Sequence, residues 1–184
     1  MTRPLYVDLD DSLIASDIDG GGNVVKIIPR PGVDAFLKNL SKHGDLYLLT
    51  HATRPHVKDA FKAIGPASRL FKAVISRENM KPVIDEIDII SGSDISDGEK
   101  DFLYKQIRPL FRSGYIFDDQ PVGSGLYVIK AAVVGASPED WIRVRPFTDL
   151  ATGRSGLERA YAEYLARNDR QGPVMSGRAV RVAR

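Results

Sequence analysis

Four short apolar runs, each ending at a polar or acidic residue, constrain this chain more than any other feature. They are Leu5–Leu9, Asp45–Thr50, Phe71–Ile75 and Tyr115–Phe117. Each reads as a buried strand. The segments between them carry helical spacing: Val33, Phe36, Leu37 and Leu40 after a Pro-Arg-Pro-Gly start, then Val57, Ala60, Phe61 and Ile64 before Gly65-Pro66. The pattern predicts a further helix over Glu99–Phe111 and a fifth strand over Leu126–Ala132. Strands alternating with helices imply an α/β fold, a mostly parallel Rossmann-like sheet with helices on both faces. In such folds ligands gather at the carboxyl ends of the strands.

The remaining stretches are less regular. Residues 12–28 contain Ser-Asp-Ile-Asp-Gly-Gly-Gly-Asn and read as a flap or hairpin after the first strand. Residues 76–97 fit either an extra strand or a short helix before a loop. After Leu150 the pattern weakens, although Leu157, Tyr161, Tyr164 and Leu165 share one stripe and predict a docking helix over Gly156–Asn168. The expected division is a core over residues 1–150 and a docking helix with a basic tail over 151–184. From Arg167 to Arg184 there are five arginines and one acid, Asp169. That tail is either solvated or a contact for nucleic acid or another polyanion.

Composition narrows the chemistry. Hydrophobic residues make up 43% and charged residues 27% of the 184, as in ordinary globular proteins. There is no cysteine, which excludes disulfides, thiolate-held zinc and thiol nucleophiles. The net charge of +2 does not by itself argue for nucleic acid. No apolar run approaches the roughly 18 residues of a membrane span, and the first residues lack the apolar centre of a signal peptide. The expectation is a soluble, cytoplasmic protein with no membrane partner.

The strand ends hold the informative residues: Asp8 and Asp10, Thr50, and Asp118 with Asp119. Acids gathered at one sheet edge repel one another unless a cation lies among them. An oxygen-only ligand set suits Mg²⁺ rather than zinc, and Mg²⁺ commonly shares its ligands with phosphate oxygens. A carboxylate beside such an ion can attack phosphorus, provided further donors surround the transferred group. Thr50 and a lysine are the candidates.

These residues carry a resemblance. Asp8-Leu9-Asp10-Asp11-Ser12 is similar to the first motif of the haloacid dehalogenase superfamily of phosphatases, Thr50 to its second and Asp118-Asp119 to its fourth. Lys100 is the choice for the third, with Lys72, Lys81 and Lys105 as competitors. The text Val-Asp-Leu-Asp-Asp-Ser-Leu-Ile, the Arg-Pro-Gly at 30–32 and the Asp-Asp-Gln-Pro at 118–121 most resemble the branch of RNA polymerase C-terminal-domain phosphatases. The resemblance covers about residues 5–135, with Asp11-Ser12 replacing the branch's Glu-Thr.

The resemblance implies roles. Asp8 is the nucleophile that forms an aspartyl phosphate. Asp10 protonates the leaving oxygen and then activates water. Mg²⁺ is held by the Asp8 carboxylate, the Asp10 carbonyl and Asp118, with Asp119 assisting. Thr50 and Lys100 contact the phosphoryl group. His51 and Arg54, close behind Thr50, are further candidates for substrate contact.

Two carboxylates two residues apart on a regular strand face opposite ways, so the chain must turn after Asp8. The gaps between motifs leave no room for a large cap domain. An open site suits a phosphoprotein or a nucleic-acid end, with a free nucleotide as the alternative. A non-catalytic phosphate-binding module is the rival from another class. Receiver domains place their acids, Thr and Lys in a different chain order.

Overall fold

A computed structural model describes residues 2–18, 20, 24–147 and 150–170. Its centre is a five-stranded, wholly parallel sheet in the order β5-β4-β1-β6-β7. The strands are β1 (Leu5–Val7), β4 (Leu46–Leu49), β5 (Phe71–Ile75), β6 (Tyr115–Asp118) and β7 (Trp141–Arg143). The chain runs outward from β1 through β4 to β5, then returns to β6 on the other side of β1. That reversal opens a crevice at the carboxyl ends of β1 and β6, the place where such sheets bind ligands.

Strand alternation divides the core between the two faces. Leu5, Val7, Tyr115 and Phe117 point to one side, with α1 (Val33–Leu40), α2 (Arg54–Ile64) and α6 (Leu150–Arg170) supplying Phe36, Leu37, Val57, Ala60, Leu157 and Tyr164. Tyr6, Leu49 and Ile116 point to the other, against α3 (Arg77–Gly92) and α5 (Gly125–Val134), which supply Met80, Val83, Ile87, Val133 and Val134. Central strands buried on both faces read as continuous apolar runs, which is why β1, β4 and β6 stand out in the sequence.

Residues after β1 form the expected flap. β2 (Ile14–Ile18) and β3 (Val24–Pro29) pair antiparallel as a separate two-stranded ribbon. Residues 21–23 of the glycine segment lie outside the described residues. Among the described residues no cap domain covers the carboxyl edge.

Two expectations are corrected and one open alternative is resolved. Leu126–Ala132 is not a strand but the middle of α5, capped by the Ser124 hydroxyl, which accepts from the Tyr127 N–H, and closed by left-handed Gly135. An apolar segment on all sides is a buried helix as readily as a buried strand. The fifth strand is β7, whose Trp141 is buried within it. Residues 77–92 form one helix, α3, despite Pro82 inside it, because Met80, Val83, Ile87 and Ile90 make a continuous buried stripe. The predicted helix over Glu99–Phe111 is shorter, α4 (Asp97–Tyr104), started by a reciprocal Ser96–Glu99 capping box. The basic tail lies outside the described residues from 171 onward. No described helix is long and apolar enough to cross a membrane.

Candidate active site at the carboxyl edge of the sheet

Register places the acids. Val7 pairs with Leu48 on one side and Phe117 on the other, so Asp8 and Asp118 leave neighbouring strands at the same level. Thr50 follows one residue beyond the position level with Asp8. The Asp8 N–H still donates to the Phe117 carbonyl at 2.9 Å. The chain then turns as the two-residue spacing requires. Asp11 adopts φ 56°, a left-handed conformation that Asp tolerates better than most residues. The N–H groups of Leu13 and Ile14 both return to the Leu9 carbonyl.

Asp8, Asp118 and Asp119 are buried, and one ligand oxygen from each lies within 4.8 Å of the others. A single ammonium sits among them. Lys130 Nζ donates to Asp8 Oδ1 and to Asp118 Oδ2, each at 2.6 Å, with its side chain 3% exposed. It comes from α5, after the acidic pair. Lys100 lies elsewhere: its Nζ donates to the Ser91 carbonyl on the exposed α4 side. Of the other competitors, Lys72 pairs with Asp45 and Lys81 with Asp85 at the surface, and Lys105 is exposed at the end of α4.

Lys130 was missed because its segment reads as a strand. Its signal was a lone charge in the run Gly-Leu-Tyr-Val-Ile-Lys-Ala-Ala-Val-Val, since a lysine buried there must be paired.

The loop is braced from below. Ser12 Oγ accepts from the Asp119 N–H at 3.1 Å, and the Ser12 carbonyl accepts from Arg30 Nη1 at 2.9 Å. Arg30, from the Arg-Pro-Gly segment, is 1% exposed and is the largest fully buried side chain among the described residues. Gly156 of α6 is required there, because a Cβ would strike the Arg30 guanidinium. On the other side, Gln120 N–H donates to Asp118 Oδ1 at 2.8 Å and Gln120 Nε2 to Asp119 Oδ2 at 3.2 Å. Trp141 Nε1 donates to the Gln120 carbonyl and fixes that turn.

Thr50 is 1% exposed, and its Oγ1 accepts from the Ala52 N–H at 3.1 Å. Its hydroxyl hydrogen is therefore free to be donated elsewhere. His51 is half-buried, and burial, with Arg77 and Lys130 nearby, holds its imidazole below the usual value. The Asp10 carboxylate stands apart from the buried trio, with Oδ1 2.8 Å from His56 Nε2.

The three carboxylates outnumber the Lys130 ammonium, and the Arg30 guanidinium acts on Asp119 from below. Burial, then repulsion from Asp8, pushes Asp118 up to about 7 and Asp119 up to about 6. Burial likewise raises Asp8. Buried, oxygen-only and rich in carboxylates, this donor set fits a divalent hard cation.

A pH-dependent thermal shift follows. Both raised carboxyls bind protons more tightly in the fold than in the unfolded chain, where the ordinary value is 3.8. Without a divalent ion, stability therefore falls as pH rises from about 4 through 7. Saturating Mg²⁺ is expected to raise Tm by about 5–10 °C at pH 7.5 and by far less at pH 5. A shift equal at both pH values would contradict it.

Comparison with known proteins gives a family. Residues 4–97, just over half of the chain, match the profile of the NLI interacting factor-like phosphatases. The chain belongs to that family. It lies within the C-terminal-domain phosphatase-like branch of the haloacid dehalogenase superfamily. The family match includes Asp8, Asp10, Thr50 and the Arg30 segment and stops before Asp118, Asp119 and Lys130.

Solved structures that the chain matches include fission yeast Fcp1, an RNA polymerase II C-terminal-domain phosphatase, bound to beryllium fluoride. It is 19% identical with a TM-score of 0.45, over 92% of this chain and 52% of that one. A second Fcp1 structure is 20% identical, TM-score 0.46, over 92% and 51%. CbbY from Rhodobacter sphaeroides in complex with phosphate is 12% identical, TM-score 0.39, over 74% and 85%. The chain spans about half the length of the Fcp1 chains. No curated protein matches it.

Proposed function

We propose that this family member is a Mg²⁺-dependent phosphomonoester hydrolase acting through an aspartyl phosphate on Asp8, with phosphoserine or phosphothreonine in a protein as substrate. The observation that carries the reading is the buried Asp8–Lys130–Asp118 bridge with Asp119 beside it at the β1/β6 crevice.

Each side chain has work in such a reaction. Asp8 attacks phosphorus, and the bond to the leaving oxygen breaks as the new P–O bond forms. Asp10 gives its proton to that oxygen, then takes one from the water that releases phosphate and restores Asp8. Lys130, held above the ordinary lysine value by Asp8 and Asp118, stays charged and faces the charge that develops on the phosphoryl group. It takes the part assigned to Lys100 on sequence grounds. The Thr50 hydroxyl donates to a phosphoryl oxygen. Asp8, Asp118 and Asp119, with the Asp10 carbonyl, would hold Mg²⁺. When bound, the ion neutralises phosphate charge and aligns the group for in-line attack.

The open carboxyl edge supports a large substrate. Between the flap and α2 runs a cleft of about 650 Å³, lined by Val25, Ile27, Thr53, Pro55 and His56. This cleft is the proposed path for a backbone carrying a phosphorylated side chain, with His56 linking it to Asp10. The Arg-rich tail adds a proposed contact for the acidic surroundings of such a phosphate.

The test is hydrolysis of phosphoserine peptides, 5′- or 3′-phosphorylated oligonucleotides and free nucleotides by purified protein, with Mg²⁺ and with a chelator. The expected result is Mg²⁺-dependent release of phosphate with peptides favoured by kcat/KM. Preference for free nucleotides would replace the substrate class with that of a nucleotidase. Binding without turnover of any of them would leave a non-catalytic module.

A further inference from the structure

Asp10 is the loosest acid of the site. Its side chain is 43% exposed, against 6% for Asp8 and 0% for Asp118. It stands on the loop beyond β1, directly before left-handed Asp11. Proton delivery requires one carboxyl oxygen to meet the leaving group, and an exposed Asp on a loop samples many rotations. Misplacement by about 1 Å costs reactions of this type on the order of 10²-fold.

One contact restrains it. His56 Nε2 lies 2.8 Å from Asp10 Oδ1, while Ser16 Oγ reaches the same oxygen only at 3.5 Å. His56 is itself well placed to act as a strut. Its side chain is 15% exposed. It sits in the first turn of α2, after Thr53 at the N-cap and beside Pro55, whose ring fixes the backbone there. It lines the cleft between α2 and the flap, so the rigid helix reaches across to the loop that carries the acid.

We infer that His56 is a positioning residue for proton transfer, which selects substrates with poor, alkoxide-type leaving groups such as phosphoserine and phosphothreonine. The inference rests on the reading of Asp10 as proton donor. The His56 Nε2–H donates to Asp10 Oδ1, fixes the rotation of the carboxyl and leaves Oδ2 as the oxygen that carries the mobile proton. In the first half-reaction that proton moves from Oδ2 to the departing oxygen as the Asp8–phosphorus bond forms. In the second, Oδ2 takes a proton from water as the water oxygen bonds to phosphorus and Asp8 is released. His56 keeps its own protons throughout. A serine or threonine alkoxide cannot depart unprotonated, whereas an acidic phenolate can, so only the first class depends on the strut.

The experiment compares kcat/KM, which reports the first half-reaction, for a phosphoserine peptide and for an aryl phosphate with an acidic phenol. In His56→Ala the peptide value is expected to fall about 10²-fold and the aryl value by less than about threefold. His56→Gln, whose amide N–H also reaches Oδ1, is expected to recover much of the loss. Asp10→Ala should show the same leaving-group pattern, and adding His56→Ala to it should cost nothing further. The aryl substrate should also show a burst of phenol release in His56→Ala, because water activation slows.

The ratio of the two kcat/KM values does not depend on how much enzyme is folded, so a partly misfolded variant still gives an answer. Equal losses on both substrates, or no loss on either, would overturn the inference. Failure of the underlying reading registers separately, as an Asp10→Ala variant that loses both substrates equally or neither.

Discussion

An Asp8→Asn variant is expected to fold and to lose roughly 10⁶-fold in turnover, the scale seen when a covalent nucleophile is removed. The amide has the same shape, and its oxygen still accepts from Lys130 Nζ, which also keeps its bond to Asp118. One buried negative charge disappears from a cluster with more carboxylates than cations, so the fold loses little. The chemistry loses everything that depends on an oxygen able to bond to phosphorus. Phosphate release from an aryl phosphate measures the first effect and thermal unfolding the second. Acid-quenched protein should carry an acyl phosphate in the native enzyme and none in the variant. Turnover within tenfold of the native enzyme would end the proposed mechanism.

Lys130→Met should damage both stability and catalysis, whereas Lys100→Ala should leave both unchanged. Methionine fills the volume of the buried stem but abandons Asp8 and Asp118, each bonded to Nζ at 2.6 Å. Leaving buried partners of an ion pair uncompensated costs about 3–5 kcal/mol. For a chain of this size that is a drop in Tm of roughly 10 °C. Loss of a preorganised charge facing the phosphoryl group costs on the order of 10²–10³-fold in kcat. Mg²⁺ at neutral pH should recover part of the stability, because the ion supplies a counter-charge, but not the rate. Lys100 donates only to a carbonyl at the protein surface, so its truncation touches neither quantity. An active, stable Lys130→Met enzyme would remove the lysine from the proposed mechanism.

The parts of this molecule that are easy to read in the sequence are those with one physical cause. β1, β4 and β6 are apolar on both faces because both faces are covered, and they end where the sheet meets solvent. Asp8, Thr50 and Asp118 are therefore conspicuous as polar residues at the strand ends. α1 and α2 carry one-sided stripes that only a helix explains. Where two causes compete, the sequence is ambiguous. α5 is apolar nearly all round, and its valines, isoleucine and tyrosine favour strands as much as burial favours a helix. β7 has three residues and ends in an arginine, too short for any periodicity. In α3 a proline interrupts a stripe that packing nevertheless holds.

The site follows the same division. Its acids belong to strand ends and were legible. Lys130 and His56 owe their positions to helices docked from elsewhere, which local spacing does not record.

The ammonium of the site comes from beyond the last acidic strand, and this frees the stretch that precedes β6. α4 has no buried residue and none of its side chains reaches the carboxylates. The family likeness stops at residue 97, where that helix begins. α4 can thus be altered without moving the side chains around Asp8, provided Tyr104, buried Ile107 and the Leu110 and Phe111 bonds to Val133 are kept. For anyone redesigning substrate choice, it is a natural grafting point on this scaffold.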